Sequence, residues 1–245
     1  LSRMQIVTPE SFLEVLRKSN LLSDDQLAEA ERLAAEHDDA QSLARALSRA
    51  ELLTRWQAGQ LLAGRSAFFL GKYKLMRLLG RGGMGSVFLA RHTTMNRPVA
   101  LKIVPRKVGK DPASLQRFIS EARAIAALDH PNIVQAYSVD NEGERYYIVM
   151  EFIEGQDLGA MVEAEGPLPA ERIANYMYQA CDGLAHAHSR NMIHCDIKPS
   201  NLMVNRQGVV KILDMGMARL AGNGDGEDLT ESQEERVLGT VDYLS

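Results

Sequence analysis

The stretch Gly80-Arg81-Gly82-Gly83-Met84-Gly85 narrows the folds open to this chain more than any other. It contains the spacing GxGxxG, which several unrelated folds share. In a dinucleotide-binding fold the last glycine opens a helix whose N-terminus holds a pyrophosphate. Here Val87-Phe88-Leu89-Ala90 follows instead, and β-branched and aromatic residues of that kind predict a strand. The glycines are therefore read as a turn between two strands, where missing side chains let the backbone close over a phosphate. A second strand, Val99-Ala100-Leu101-Lys102-Ile103-Val104, carries a single charge. A lysine within an apolar strand is costly unless paired. Lys102 thus either lines an exposed edge or meets an anionic partner.

The chain later places His194-Cys195-Asp196-Ile197-Lys198-Pro199-Ser200-Asn201 on one short loop, followed by Asp214-Met215-Gly216. An acid, a lysine and an amide together suit phosphoryl transfer: the acid orients a hydroxyl, the lysine neutralises phosphate, the amide oxygen meets Mg²⁺. Taken singly, each is an ordinary polar loop residue. The order of glycine turn, Val-Ala-Leu-Lys strand, acid loop and Asp-Met-Gly triplet removes that reading. This set resembles the protein-kinase signature, and closely the eukaryotic-type (Hanks-type) Ser/Thr kinases of bacteria, from about Tyr73 to Ser245.

The resemblance implies an α+β, bilobal protein-kinase-like fold, with a β-rich N-lobe and a helical C-lobe that is incomplete. It implies ATP and Mg²⁺ as cofactors and protein Ser/Thr hydroxyls as acceptors. Asp196 would act as catalytic base, Lys198 would stabilise the transferred phosphoryl group, and Asn201 and Asp214 would hold the metal. Lys102 would pair with the phosphates and with Glu121, in the amphipathic stretch Phe118 to Ile125. The nucleotide would be enclosed by Leu79, Gly80, Arg81, Gly82, Gly83, Met84, Gly85, Ser86 and Val87, with Ala100, Met150 and Met203 around the base. The backbone at Glu151 and Ile153 would hydrogen-bond the base. His130, in His130-Pro131-Asn132-Ile133-Val134, is read as structural. His186 and His188 stand two apart and do not share a helical face, so no metal role is assigned to them.

Two positions depart from the family pattern. Met215 replaces the usual Phe with another bulky apolar group. Cys195 stands where many kinases carry the arginine that grips a phosphorylated activation loop, and a thiol cannot make that ion pair. The loop's counterpart here, Asn223 to Glu235, is acidic and glycine-rich, and contains Thr230 and Ser232 as candidate phosphosites. Thr240 is expected to bridge Asp196 and Lys198, favouring Ser/Thr acceptors. Several helices that the family places beyond this point are absent, so the segment is read as truncated within its C-terminal lobe.

Before Tyr73 the pattern is purely helical. Ser23 with Gln26 forms a capping-box signal, Leu27, Ala30, Leu33 and Ala34 follow at helical spacing, and Thr54 opens a stretch with Trp56, Leu61 and Leu62. Residues 1–66 are expected to be a small all-α module, 67–72 a linker and 73–245 a kinase domain, divided at 153/154. The module either packs its own core or offers a surface for a partner or for self-association, with the Trp56 region the contact. A net charge of −4 and 24% charged residues give no bulk attraction to nucleic acid. The only cysteines, Cys181 and Cys195, fit a reducing cytoplasm, and no membrane span or signal peptide is legible, although an anchor beyond Ser245 stays open. The alternative to an active enzyme is a pseudokinase or nucleotide-binding scaffold, with the helices as docking module.

Overall fold

The computed structural model describes residues 6–82, 85–214 and 219–220. Backbone contacts divide the chain into two compact units: Leu1–Arg106 with Asn141–Tyr147, and Lys107–Asp140 with Ile148–Ser245. The architecture is α+β, as the motif order predicts.

The first unit opens with four short helices: α1 (Pro9–Ser19), α2 (Asp24–Ala34), α3 (Ala40–Arg49) and α4 (Arg55–Leu62). Each begins at a side chain that accepts from a first-turn N–H: Thr8, Ser23, Asp39 and Thr54. Such caps contribute about 1 kcal/mol apiece, which matters for helices too short to persist alone. Their apolar faces meet in one core built on Phe12, Leu16, Leu43, Leu47, Leu61 and Phe68, all fully buried.

Strands β1 (Phe69–Leu70), β2 (Tyr73–Gly82), β3 (Gly85–His92), β4 (Pro98–Ile103), β5 (Ala136–Glu142) and β6 (Arg145–Glu151) follow. They form one sheet in the order β1-β2-β3-β4-β6-β5. The register of β3 on β4 decides which side chains share a face. Val87 lies opposite Lys102 and Leu89 opposite Ala100, while Phe88 lies opposite Leu101 and Ala90 opposite Val99. Side chains alternate along a strand, and directly opposed residues point the same way. Val87, Leu89, Ala100 and Lys102 therefore occupy one face, and Phe88, Ala90, Val99 and Leu101 the other. The helices sit on the second face: the Trp56 ring meets Phe88 edge-on at 5.7 Å and Phe68 at 5.9 Å between centroids. The residue that the sequence nominates for an external contact is thus engaged within its own unit.

In the second unit, α5 (Arg106–Lys110) leads to α6 (Pro112–Ala126), capped by Asp111. Beyond β6 come β7 (Gly155–Asp157), α7 (Leu158–Glu165), α8 (Ala170–His188), β8 (Met192–Ile193), a single 3₁₀ turn (Pro199–Asn201), β9 (Leu202–Asn205), β10 (Val210–Ile212) and β11 (Arg219–Leu220). Strands β10, β9 and β7 form one small sheet, and β11 pairs with β8. Helix α8 lies close under β10 because Gly183 has no side chain; a Cβ there would stand 2.8 Å from the Ile212 side chain. Buried Asn132 ties the elements together, donating to the Val210 carbonyl (2.9 Å) and to Gln179 Oε1 (3.1 Å) on α8. Gln179 Oε1 in turn accepts from the Val210 N–H at 2.9 Å. This fixes the strand that runs into Leu213 and Asp214. Among the described residues no helix is long and apolar enough to cross a membrane.

Candidate active site

In the first unit the glycine segment spans the end of β2 and the start of β3, which are paired as far as Gly82 opposite Gly85. Gly85 has φ +121°, and a Cβ on it would lie 2.1 Å from the Ile103 carbonyl oxygen, so no other residue fits. Leu79, Gly80, Arg81 and Gly82 are exposed. Below the hairpin, Lys102 is 7% exposed on the face it shares with Val87 and Ala100. The strand pattern alone left an edge position open for Lys102; the sheet order places β4 between β3 and β6, in the interior.

In the second unit the His194–Asn201 loop is held by its own side chains. Lys198 Nζ lies 2.9 Å from Asp196 Oδ2. Asn201 Nδ2 donates to the Asp196 carbonyl at 2.7 Å and to Asp196 Oδ2 at 3.2 Å. The Asp196 N–H donates to His194 Nδ1 (3.2 Å), which assigns the imidazole proton to Nε2, and Nε2–H donates to the Leu213 carbonyl at 2.8 Å. The Leu213 N–H donates to the Asn201 carbonyl, also at 2.8 Å. Leu213 is thus gripped at both backbone groups by the loop, and the next residue, Asp214, is set in the left-handed conformation with φ 55°. Cys195 is left-handed too, with φ 64°. Such backbone costs roughly 1–3 kcal/mol per residue and persists only where the surroundings impose it.

His194 is 1% exposed. Burial pushes its pKa below the ordinary imidazole value, against the pull of its bond to the Leu213 carbonyl and of the Asp196 and Asp214 charges. A neutral ring is what the two hydrogen bonds require. For a metal, the donor set is oxygen. Asn201 spends its amide hydrogens on Asp196, which leaves Oδ1, and Asp214 adds an exposed carboxylate. These suit Mg²⁺, which takes one or two protein oxygens and fills its shell with water and phosphate. Among the described residues no cluster of three His, Cys, Asp or Glu competes for it.

The sequence model of the protein kinase domain matches residues 73–245. The chain belongs to the protein kinase family. Among curated proteins it is similar to the serine/threonine-protein kinase PrkC of Bacillus subtilis, 39% identical over 175 residues that cover 71% of this chain and 26% of that protein. PknB of Mycobacterium leprae is 36% identical over 178 residues, covering 71% and 28%. Pkn1 of Myxococcus xanthus is 37% identical over 179 residues, covering 71% and 25%. The chain thus spans about a quarter of the length of the curated relatives it matches. Among solved structures, a point mutant of the Mycobacterium tuberculosis PknI kinase domain superposes with a TM-score of 0.53 at 25% identity, covering 60% of each chain.

Within this kinase fold, the structure brings Asp196, Lys198 and Asn201 into one hydrogen-bonded cluster and anchors Asp214 to it through Leu213. It brings Val87, Ala100 and Lys102 to one face of the sheet. Met150 and Glu151 end β6; the Glu151 N–H is already engaged by the Gln135 carbonyl at 2.9 Å and its carboxylate by Lys211 at 2.9 Å. Ile153 is buried in the connector that follows, and Met203 lies on β9. Ser86 pairs with Ile103 at the start of β3. Gly83, Met84, Met215, Gly216, Thr230, Ser232 and Thr240 lie outside the described residues, as does the side chain of Glu121 on α6. His130 accepts from the Asn132 N–H at 3.1 Å and lies 3.4 Å from Asp182 on α8. Sequence reasoning gave His194 and Leu213 no role. A histidine two residues before the loop's acid was the one legible signal; nothing in Leu213 itself marks a backbone clamp.

Proposed function

We propose that this chain carries the catalytic portion of an ATP- and Mg²⁺-dependent serine/threonine protein kinase. The observation that carries the reading is the Asp196–Lys198–Asn201 cluster, with Asp214 fastened to it through Leu213. A Ser or Thr hydroxyl oxygen attacks the γ-phosphorus of ATP, the bond to the β–γ bridging oxygen breaks, and ADP leaves. Asp196 orients the hydroxyl and takes its proton; Lys198 offsets charge on the moving phosphoryl group. Asn201 and Asp214 would hold Mg²⁺, which would neutralise phosphate charge. Lys102 reaches the phosphates and Glu121, and Val87, Ala100, Met150 and Met203 enclose the base, with backbone bonds at Glu151 and Ile153.

The working division is a helical module at 1–66, a linker at 67–72 and the kinase domain at 73–245, acting on protein substrates in the cytoplasm. A pseudokinase is disfavoured by Lys102, Asp196, Asn201 and Asp214 standing together in one sequence. The test is transfer from γ-labelled ATP by the full-length protein to a protein substrate, followed by identification of the labelled residue. Label on Ser or Thr that disappears on chelating Mg²⁺ and in Asp214→Asn supports the reading. Transfer to Tyr alone, or full activity in Asp214→Asn, contradicts it.

A further inference from the structure

Strand β2 carries two residues more than its partner β3, one at Met76 and one at Leu79. Leu75 lies opposite Ala90 and Arg77 opposite Leu89, so Met76 bulges out of the ladder. A bulge frees backbone carbonyls that must then find other donors. Helix α4 supplies them from its capping box. Thr54 Oγ1 accepts from the Gln57 N–H (3.1 Å) and Gln57 Oε1 accepts from the Thr54 N–H (2.9 Å). Each side chain has a donor left over. The Thr54 hydroxyl donates to the Met76 carbonyl at 2.7 Å, and Gln57 Nε2 donates to the Leu75 carbonyl at 2.8 Å. Gln57 is 1% exposed, whereas the like box of α2, Ser23 with Gln26, is exposed. A glutamate in place of Gln57 would cap the helix equally well but has no hydrogen for the strand.

Between the two clamp residues, Trp56 sets its ring on Phe88 of β3, the neighbour of Val87. Lys74 Nζ adds a bond to the Leu21 carbonyl at 2.6 Å. The helices therefore hold both strands of the glycine hairpin near its root, on the face opposite Lys102. A bulge sharpens local twist and pins register, and a slip of one residue would turn every side chain beyond it to the wrong face.

We propose that Thr54 and Gln57 are positioning residues for the root of the glycine hairpin, so that docking of α4 sets the register of β2 on β3 and, through it, the affinity for a nucleoside triphosphate. The link to nucleotide rests on the kinase reading above; the clamp itself does not. Two variants separate capping from clamping. Thr54→Asp and Gln57→Glu keep the cap acceptors and remove the donors to β2, while Thr54→Ser keeps both and Gln26→Glu alters the exposed box. The measurements, in the full-length protein, are amide hydrogen exchange along residues 77–89 and the affinity for MgATP. In the two clamp variants the hairpin amides should exchange faster and MgATP bind at least about five- to tenfold more weakly, since each loses a hydrogen bond and sets a carboxylate against a strand carbonyl. Protection in α1–α3 should hold, and Thr54→Ser and Gln26→Glu should match wild type. Unchanged hairpin exchange, unchanged affinity, or a general loss of protection reaching α1–α3 would each overturn the proposal. Weaker binding and faster exchange in a protein whose wild type transfers no phosphate would sink the kinase reading and leave the clamp standing.

Discussion

The glycine hairpin and the His194–Asn201 loop are the two parts of this chain suited to handling phosphate, and they are fixed in opposite ways. Leu79 to Gly82 of the hairpin are exposed, and the hairpin is held at its root, by strand pairing and by donors from α4. The loop holds itself: Asp196 is met by Lys198, Asn201 and the His194 ring, and Leu213 is fastened at both backbone groups. On the kinase reading proposed above, a segment that receives a nucleotide gains from being anchored on the face of the sheet opposite Lys102. A constellation that must match a transition state gains from local bonds, since small displacements there cost rate. Damage to the loop should therefore act on the chemical step, and damage around the hairpin on binding, except where a charge reaches the phosphates directly.

On the proposed function Lys102 is that exception, and it is the harshest test of the contrast. Lys102→Met keeps much of the buried volume and removes the charge. Phosphoryl transfer by the full-length protein should fall on the order of a hundred- to a thousandfold, about 3–4 kcal/mol of barrier, in steady-state kinetics. A change confined to KM would place Lys102 on the binding side of the division instead.

A smaller effect follows from the loop's dependence on a neutral imidazole. The folded pKa of His194 is lowered by burial, so as pH falls the unfolded chain takes up the proton first. This group's contribution is then full above its ordinary value near 6.5 and declines below it, toward the folded pKa. One proton limits the slope to about 1.4 kcal/mol per pH unit. Denaturant unfolding measured between neutral and mildly acidic pH should show this loss in wild type and a flatter profile in His194→Gln. Parallel profiles would mean that the ring is not the group that titrates.

The smallest change is expected in the acidic segment. With Cys195 in place of an arginine, phosphate on Thr230 or Ser232 lacks that partner among Asp228, Glu231 and Glu234. The double Ala variant and phosphatase-treated protein should transfer phosphate at nearly the wild-type rate. A drop near a hundredfold, about 2.7 kcal/mol, would show that another cation does that work.

Much of this was legible in the sequence, for identifiable reasons. Gly80 to Val87 declared a hairpin because strand-forming residues follow it, and Ser23 and Thr54 announced their helices because capping is local chemistry. The α+β kinase class followed from motif order. What stayed hidden depends on register and on backbone atoms. A bulge at Met76, between Leu75 and Arg77, leaves no mark in the strand pattern. Gln57 looks like any capping glutamine until its second hydrogen bond is seen, and Leu213 acts only through its N–H and carbonyl. Trp56 was readable as core or as contact surface, and only the pairing of β3 with β4 shows which face of the sheet it covers.

The central claim is that the loop presents Asp196 ready to orient an acceptor hydroxyl. The direct measurement is single-turnover transfer from ATP to a Ser/Thr substrate by wild type and Asp196→Asn in the full-length protein, with MgATP affinity measured in parallel. Asparagine keeps the shape and cannot take the proton. The account predicts a rate lower on the order of a thousandfold, about 4 kcal/mol, at unchanged MgATP affinity. A variant that transfers phosphate at the wild-type rate, or loses activity only by losing MgATP, would contradict it.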